Sequence, residues 1–175
     1  MKGNIIFLGG VHGVGKTTIS RKISSQHNIE NYSSSWLIEK IKGEKFENKF
    51  TDDINKNQDI LVKAVNYYMD KSKKFILDGH FCLLNEKKEV VRIPEQTFKD
   101  LGLSCIIVII DDEESICDRL KVRDNNKYDI ELIKDLQRNE KSYAKEISFM
   151  LDIPVYYIDL SEENFIEKIN NIKEI

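Results

Sequence analysis

The stretch GGVHGVGKTT, residues 9–18, follows the apolar run Ile5-Ile6-Phe7-Leu8 and precedes a segment of helical spacing. Glycine loses more backbone entropy on folding than any other residue, so a cluster of it is kept where the chain must turn sharply or touch something. Phosphate is that something here. Gly10, Gly15, Lys16 and Thr17 meet the pattern G-x-x-x-x-G-K-[ST]. In that pattern main-chain N–H groups wrap the phosphates, the lysine neutralises the β/γ charge and the hydroxyl binds Mg²⁺. A helix opening near Gly15 adds its positive end. A strand before the loop and a helix after it are the context the pattern requires.

The rest of the chain continues that alternation. Apolar runs at Asn4 to Leu8, Phe75 to Leu77, Ser104 to Ile110 and Val155 to Ile158 read as buried strands, with a weaker one ending near Tyr32. Between them Ile19 and Ile23 stand four apart in Thr17 to His27, and Ile54, Leu61, Val65 and Tyr68 form a stripe within Asp53 to Lys71. Ile133, Leu136, Tyr143, Ile147 and Leu151 do the same from Asp129 to about Leu151. Ser161, followed by Glu162 and Glu163, reads as the N-cap of a closing helix. The segment CLLNEKKEVVRIP, residues 82–94, reads as a hairpin or excursion above the sheet. Strands that alternate with helices predict an α/β fold, with a parallel sheet covered on both faces.

A length of 175 residues suits one domain, taken as 1–175. Net charge is −3 with both signs interspersed, which gives no electrostatic footprint for nucleic acid. No stretch has the roughly 20 apolar residues that cross a bilayer. A cleaved leader would remove the phosphate loop, so the expected compartment is the cytoplasm. Cys82, Cys105 and Cys117 form neither an even set nor a C-x-x-C pair, and they read as reduced thiols.

A nucleoside triphosphate site needs a second magnesium-holding group, commonly an acid at a strand end. FILDGH supplies Asp78, although Asp-Gly is also an ordinary turn signal. His80 stands two residues on and has both a functional reading and a structural one. His12, inside the loop, is expected to turn its side chain away while the backbone works. Asp111-Asp112-Glu113-Glu114 follows a strand and opens a helix, so capping and dipole compensation account for it better than a metal does. Arg119 and Arg123 are spaced four apart on one helical face. There they grip polyphosphate, or else pair with Asp118 and Asp124 in solvent. Arg138 is a further, weaker candidate.

The loop GVHGVGKTT, the strand end LDGH and the R-L-x-x-R segment, in this order, resemble the adenylate-kinase-like branch of P-loop kinases. The resemblance is nearest to archaeal-type adenylate kinases and their uncharacterised bacterial ATP-binding relatives, and it covers nearly the whole chain. It implies a three-layer α/β/α P-loop fold with a five-stranded parallel sheet and a short lid. It also implies an ATP site through Gly10, Gly13, Val14, Gly15, Lys16, Thr17 and Thr18, with Mg²⁺ on Thr17 and Asp78. Arg119 and Arg123 would come from the lid, and Lys16 and Asp78 would be the other catalytic groups. The acceptor pocket would lie around Ser33 to Ile38 and the segment after Asp78, using Ser34, Ser35 and His80.

The departures fall in that pocket. Glu39 and Lys40 stand where many nucleoside monophosphate kinases have an arginine, and His80-Phe81-Cys82 where they have another. Arg92 is the candidate to replace the latter. Lysine is a poor geometric substitute for an arginine fork on phosphate. Ser33, Ser34 and Ser35 also suit a helix cap. The function expected is transfer of the γ-phosphoryl group of ATP to a small molecule, a nucleoside monophosphate or related nucleotide. The alternative is a nucleotide-dependent regulatory ATPase or switch.

Overall fold

Five segments pair side by side into one parallel sheet in a computed structural model that describes residues 3–43, 54–70, 72–125 and 127–175. The first is β1 (Ile5–Gly9), followed by α1 (Lys16–His27), β2 (Glu30–Ser33) and α2 (Ser34–Lys42). Then come α3 (Ile54–Tyr68), β3 (Phe75–Asp78), a hairpin of β4 (Cys82–Leu84) and β5 (Val90–Arg92), and α4 (Glu95–Leu101). The chain continues through β6 (Leu103–Ile110), α5 (Glu113–Asp124), α6 (Ile130–Leu151), β7 (Val155–Asp159) and α7 (Phe165–Asn170). The sheet order is β2-β3-β1-β6-β7, all parallel, while β4 and β5 pair antiparallel by themselves.

Successive residues of a strand point to opposite faces, so a strand buried at every position is covered on both. β1 and all eight residues of β6 are buried, and of β3 only Asp78 is not fully so. That is why these strands read as unbroken apolar runs. Helices on the two faces complete the three-layer α/β/α P-loop fold expected from the sequence. No helix among the described residues is long and apolar enough to cross a membrane.

The hairpin at 82–94 forms because Asn85 organises its turn. The Asn85 side-chain oxygen accepts from the Lys87 and Glu89 amides, each at 2.9 Å, and Lys88 adopts a positive φ of 61°.

Three local expectations change. The closing helix starts at Phe165 after Asn164, not at Ser161, whose amide and hydroxyl both donate to Asp159 Oδ1 in a tight turn. Tyr68 leaves the apolar stripe of α3 and is exposed beneath Lys40, while Met69, just past the helix, is buried. The ends of that reading, Asp53 and Lys71, lie outside the described residues. The helix α4 had no apolar period long enough to be noticed, because it has only seven residues, of which Thr97, Phe98 and Leu101 are buried.

Candidate active site

The loop after β1 sets the geometry. Gly10, Gly13 and Gly15 hold φ of 143°, 79° and 110°, a region that side-chain-bearing residues avoid. A Cβ on Gly10 would also stand 2.7 Å from the Ile109 carbonyl oxygen, so the loop lies directly on β6. Val14 anchors it from below with a fully buried side chain. Lys16 opens α1 and curls back over the loop, its Nζ donating to the Gly10 and Val11 carbonyls at 2.7 and 3.1 Å. Burial pushes the Lys16 ammonium pKa down, while Asp78 and Glu140 pull it up.

Asp78 closes β3, which neighbours β1, so the register brings it opposite Leu8 at the mouth of the loop. Thr17 Oγ1 and Asp78 Oδ2 face each other at 3.5 Å. Burial raises the Asp78 pKa, and Lys16 and the Thr17 hydroxyl oppose the rise. A hydroxyl and a carboxylate facing each other are hard oxygen donors, the set that Mg²⁺ accepts, with phosphate oxygens and water as its usual remaining ligands. No group of three or more His, Cys, Asp or Glu that could hold a metal occurs among the described residues.

Arg119 lies across the loop. Its Nε donates to the Gly13 carbonyl at 2.8 Å and its guanidinium pairs with Asp111 at 2.6 Å. Asp111 is in turn held by Gln137, which accepts from its amide and donates to its carbonyl. Asp112 caps α5 by accepting from the Ser115 amide, as the acidic run predicted. Arg123 bonds to Asp124 and also faces the cavity. Both arginines lie within α5 itself, whereas a lid was expected to supply them. Arg138 does not line the cavity described below and pairs with Asp135 on an exposed face.

The loop, Thr17, Thr18, Asp78, Arg119 and Arg123 line one side of a cavity of about 610 Å³. The end of β2, α2, α3, α4 and the hairpin build the rest of its lining, which includes Ser33, Ser34, Ser35, Glu39, Asn57, Gln58 and Thr97. Ser34 and Ser35, the acceptor candidates, line the same cavity as the phosphate loop. Ser33 occupies the N-cap position of α2 without a capping side-chain bond, since its hydroxyl pairs with that of Ser35 at 2.8 Å.

Arg92 is not in the wall. It turns outward to a two-pronged ion pair with Glu146, at 2.7 and 3.0 Å, over the Tyr143 ring. The hairpin alternates its side chains, and the one that enters the cavity from this strand end is the next residue, Ile93. His12 also departs from expectation. Its ring packs on His80 with centroids 4.0 Å apart, and both residues line the cavity.

Beneath His80 lies a residue the sequence reading passed over. Glu140, on α6, is wholly buried. Its Oε1 accepts from the Phe81 and Cys82 amides at 2.9 and 3.0 Å and stands 3.7 Å from His80 Nδ1. Burial, only partly offset by those amides and by Lys16, raises its pKa to about 7. His80 is pushed well below the usual imidazole range, by burial first and Lys16 next. The signal was present in the pattern, because Glu140 falls on the same stripe as Leu136 and Tyr143, where a carboxylate has no business unless something inside receives it.

A family described as AAA domain matches residues 9–137. Among curated proteins none matches the chain in sequence. The fold is similar to that of shikimate kinase from Acinetobacter baumannii in complex with shikimate, at 16% identity and a TM-score of 0.62, covering 97% of this chain and 96% of that one. It is also similar to a gluconokinase from Sinorhizobium meliloti 1021, at 13% identity and a TM-score of 0.56, over 97% of this chain and 88% of the other. An uncharacterized protein from Eubacterium ventriosum ATCC 27560 matches at 17% identity and a TM-score of 0.53, over 99% of this chain and 100% of its own. At these identities the likeness is one of fold.

Proposed function

This chain belongs to the AAA domain family, and we propose that it is an ATP-dependent phosphotransferase acting on a small molecule. The observation that carries the proposal is the two-sided cavity. Lys16, Thr17, Asp78 and the two arginines line one side, and an independent wall of α2, α3 and α4 leaves room for a second substrate. A fold shared with a gluconokinase and a shikimate kinase supports a small acceptor. Resemblance to adenylate-kinase-like enzymes makes nucleoside monophosphates and related nucleotides the first acceptors to test.

In this reading the loop amides and the end of α1 bind the triphosphate, and Lys16 exchanges its two loop carbonyls for phosphate oxygens. Thr17 and Asp78 would hold Mg²⁺, which supplies charge neutralisation across the phosphates. Arg119 and Arg123 offset the charge that develops on the transferring group. Catalysis is then positioning and electrostatics, with water excluded by the walls.

The switch reading requires ATP turnover that serves a partner and needs no acceptor. A walled cavity next to the phosphate loop favours transfer instead. The deciding experiment measures ADP formation across nucleosides, nucleotides, sugars and sugar acids, with product analysis. Acceptor-stimulated turnover with a new phosphorylated product supports transfer. Slow turnover unchanged by every acceptor moves the assignment to a regulatory ATPase.

A further inference from the structure

α6 sends two buried polar side chains, Gln137 and Glu140, to the two flanks of the phosphate loop. Gln137 grips Asp111 at both of its main-chain groups. Its Oε1 accepts from the Asp111 amide at 3.2 Å, and its Nε2 donates to the Asp111 carbonyl and to Glu113 Oε1, each at 3.0 Å. The Asp111 carboxylate in turn holds Arg119, and Arg119 Nε donates to the Gly13 carbonyl. That chain of bonds runs from α6 to the loop through the arginine.

Glu140 works on the other flank. The turn through Gly79 and His80 is tied to β1 by the Gly79 amide, which donates to the Leu8 carbonyl at 3.0 Å. It is tied to α6 by the Phe81 and Cys82 amides, both of which donate to Glu140 Oε1. Glu140 Oε2 lies against the end of β1, 3.6 Å from where a Cβ on Gly9 would stand. Gln137 and Glu140 are about 4.5 Å apart along the helix axis, so less than one turn of α6 bridges Arg119 and the strand end that carries Asp78.

Stability is a poor account of Glu140. Taking a carboxylate out of water is costly, and a buried charge is weak evidence for a stabilising role. What Glu140 does supply is a fixed place for the chain just beyond Asp78. Phosphoryl transfer depends on positioning and electrostatics, and a misplacement of about 1 Å costs about 10²-fold in rate.

We propose that Gln137 and Glu140 are positioning residues for phosphoryl transfer, through which α6 sets the distance between Arg119 and Asp78 across the phosphate loop. The inference rests on the phosphotransfer reading. Neither side chain lines the cavity, so both act through the groups they hold.

The test compares kcat and KM for ATP, with Mg²⁺ and the acceptor classes named above, in variants of the full chain. Gln137→Leu and Glu140→Leu keep bulk and remove the polar grip. Each should lower kcat for ADP release by about 10–100-fold and leave KM for ATP, and the rise in Tm that ATP produces, unchanged. Glu140→Gln keeps an oxygen for both amides and should hold kcat near the wild-type value. Ile147→Val loosens the same helix away from the site and should also keep wild-type kcat. Circular dichroism at the assay temperature identifies the folded variants. If Glu140→Leu, which strands two buried amides, does not fold, Gln137→Leu decides. Wild-type kcat in every folded leucine variant overturns the positioning role and leaves phosphotransfer standing. A loss in Ile147→Val as large as in the leucine variants overturns it too, as mere loosening of the helix. ADP release with no phosphorylated product from any of those acceptors overturns the phosphotransfer reading instead.

Discussion

At the scale of single residues the glycine-rich loop motif was legible, because it needs residue types in fixed order and no partner from elsewhere. Removing the Lys16 ammonium takes charge from the loop and no volume from the core. Lys16→Ala should therefore lower ATP turnover by about 10²–10³-fold, with an unchanged circular dichroism spectrum. Wild-type turnover in that variant would remove Lys16 from the mechanism. Asp78→Asn keeps the shape beside Thr17 and removes the charge. Its rate should fall by about 10²-fold at low Mg²⁺ and recover partly as Mg²⁺ is raised, which a magnesium titration of turnover reads directly. A flat titration equal to wild type would leave Asp78 a turn residue. Arg92 was misread for a physical reason: its destination is decided by Glu146, a partner 54 positions away that no local pattern announces.

Among the elements, strands were legible wherever both faces are covered, as in β1 and β6, and helices wherever an apolar stripe runs for several turns, as in α6. Short α4 and the start of α7 escaped because two turns of helix hold too few stripe positions to establish a period. Glu140 is the telling case, for the stripe of α6 was recognised and its one acidic member was not followed inward. Its pKa is raised from 4.5 to about 7, so the folded protein binds a proton there that the unfolded chain has lost. Stability from this group is thus present at low pH and declines as pH rises from about 4.5 through 7. Glu140→Gln removes that titration while keeping an oxygen for the Phe81 and Cys82 amides. The variant should gain about 2–4 °C in Tm relative to wild type at pH 8 and little or nothing at pH 4.5. Equal differences at both pH values would show that the carboxylate is not titrating.

For the whole molecule, the cavity joins two groups of elements that are distant in sequence, the loop with α5 on one side and α2, α3 and α4 on the other. Anything that binds the folded chain across that cavity raises its stability by mass action. ATP with Mg²⁺ at about a hundred times its dissociation constant should add roughly 2.7 kcal/mol, or several degrees in Tm, and Lys16→Ala should lose most of that gain. A thermal shift equal in both proteins would mean that the nucleotide binds away from the loop. The pairing of two walls from different parts of the chain is also what sequence could not supply: every wall residue was visible, but which of them meet is a property of the closed fold.

The central position of β1 has a consequence for how the protein is made. Its partners are β3 and β6, so its edges stay unpaired until residues 75–78 and 103–110 have been synthesised. The phosphate loop, which stands on Ile109 of β6, is thus translated well before the strand it rests on. Until β3 and β6 emerge the growing chain carries an apolar strand and a glycine-rich loop with nothing to pair with. Capture of nucleotide by a nascent chain should accordingly begin only after β6 has cleared the exit tunnel, as an abrupt event and not a gradual one.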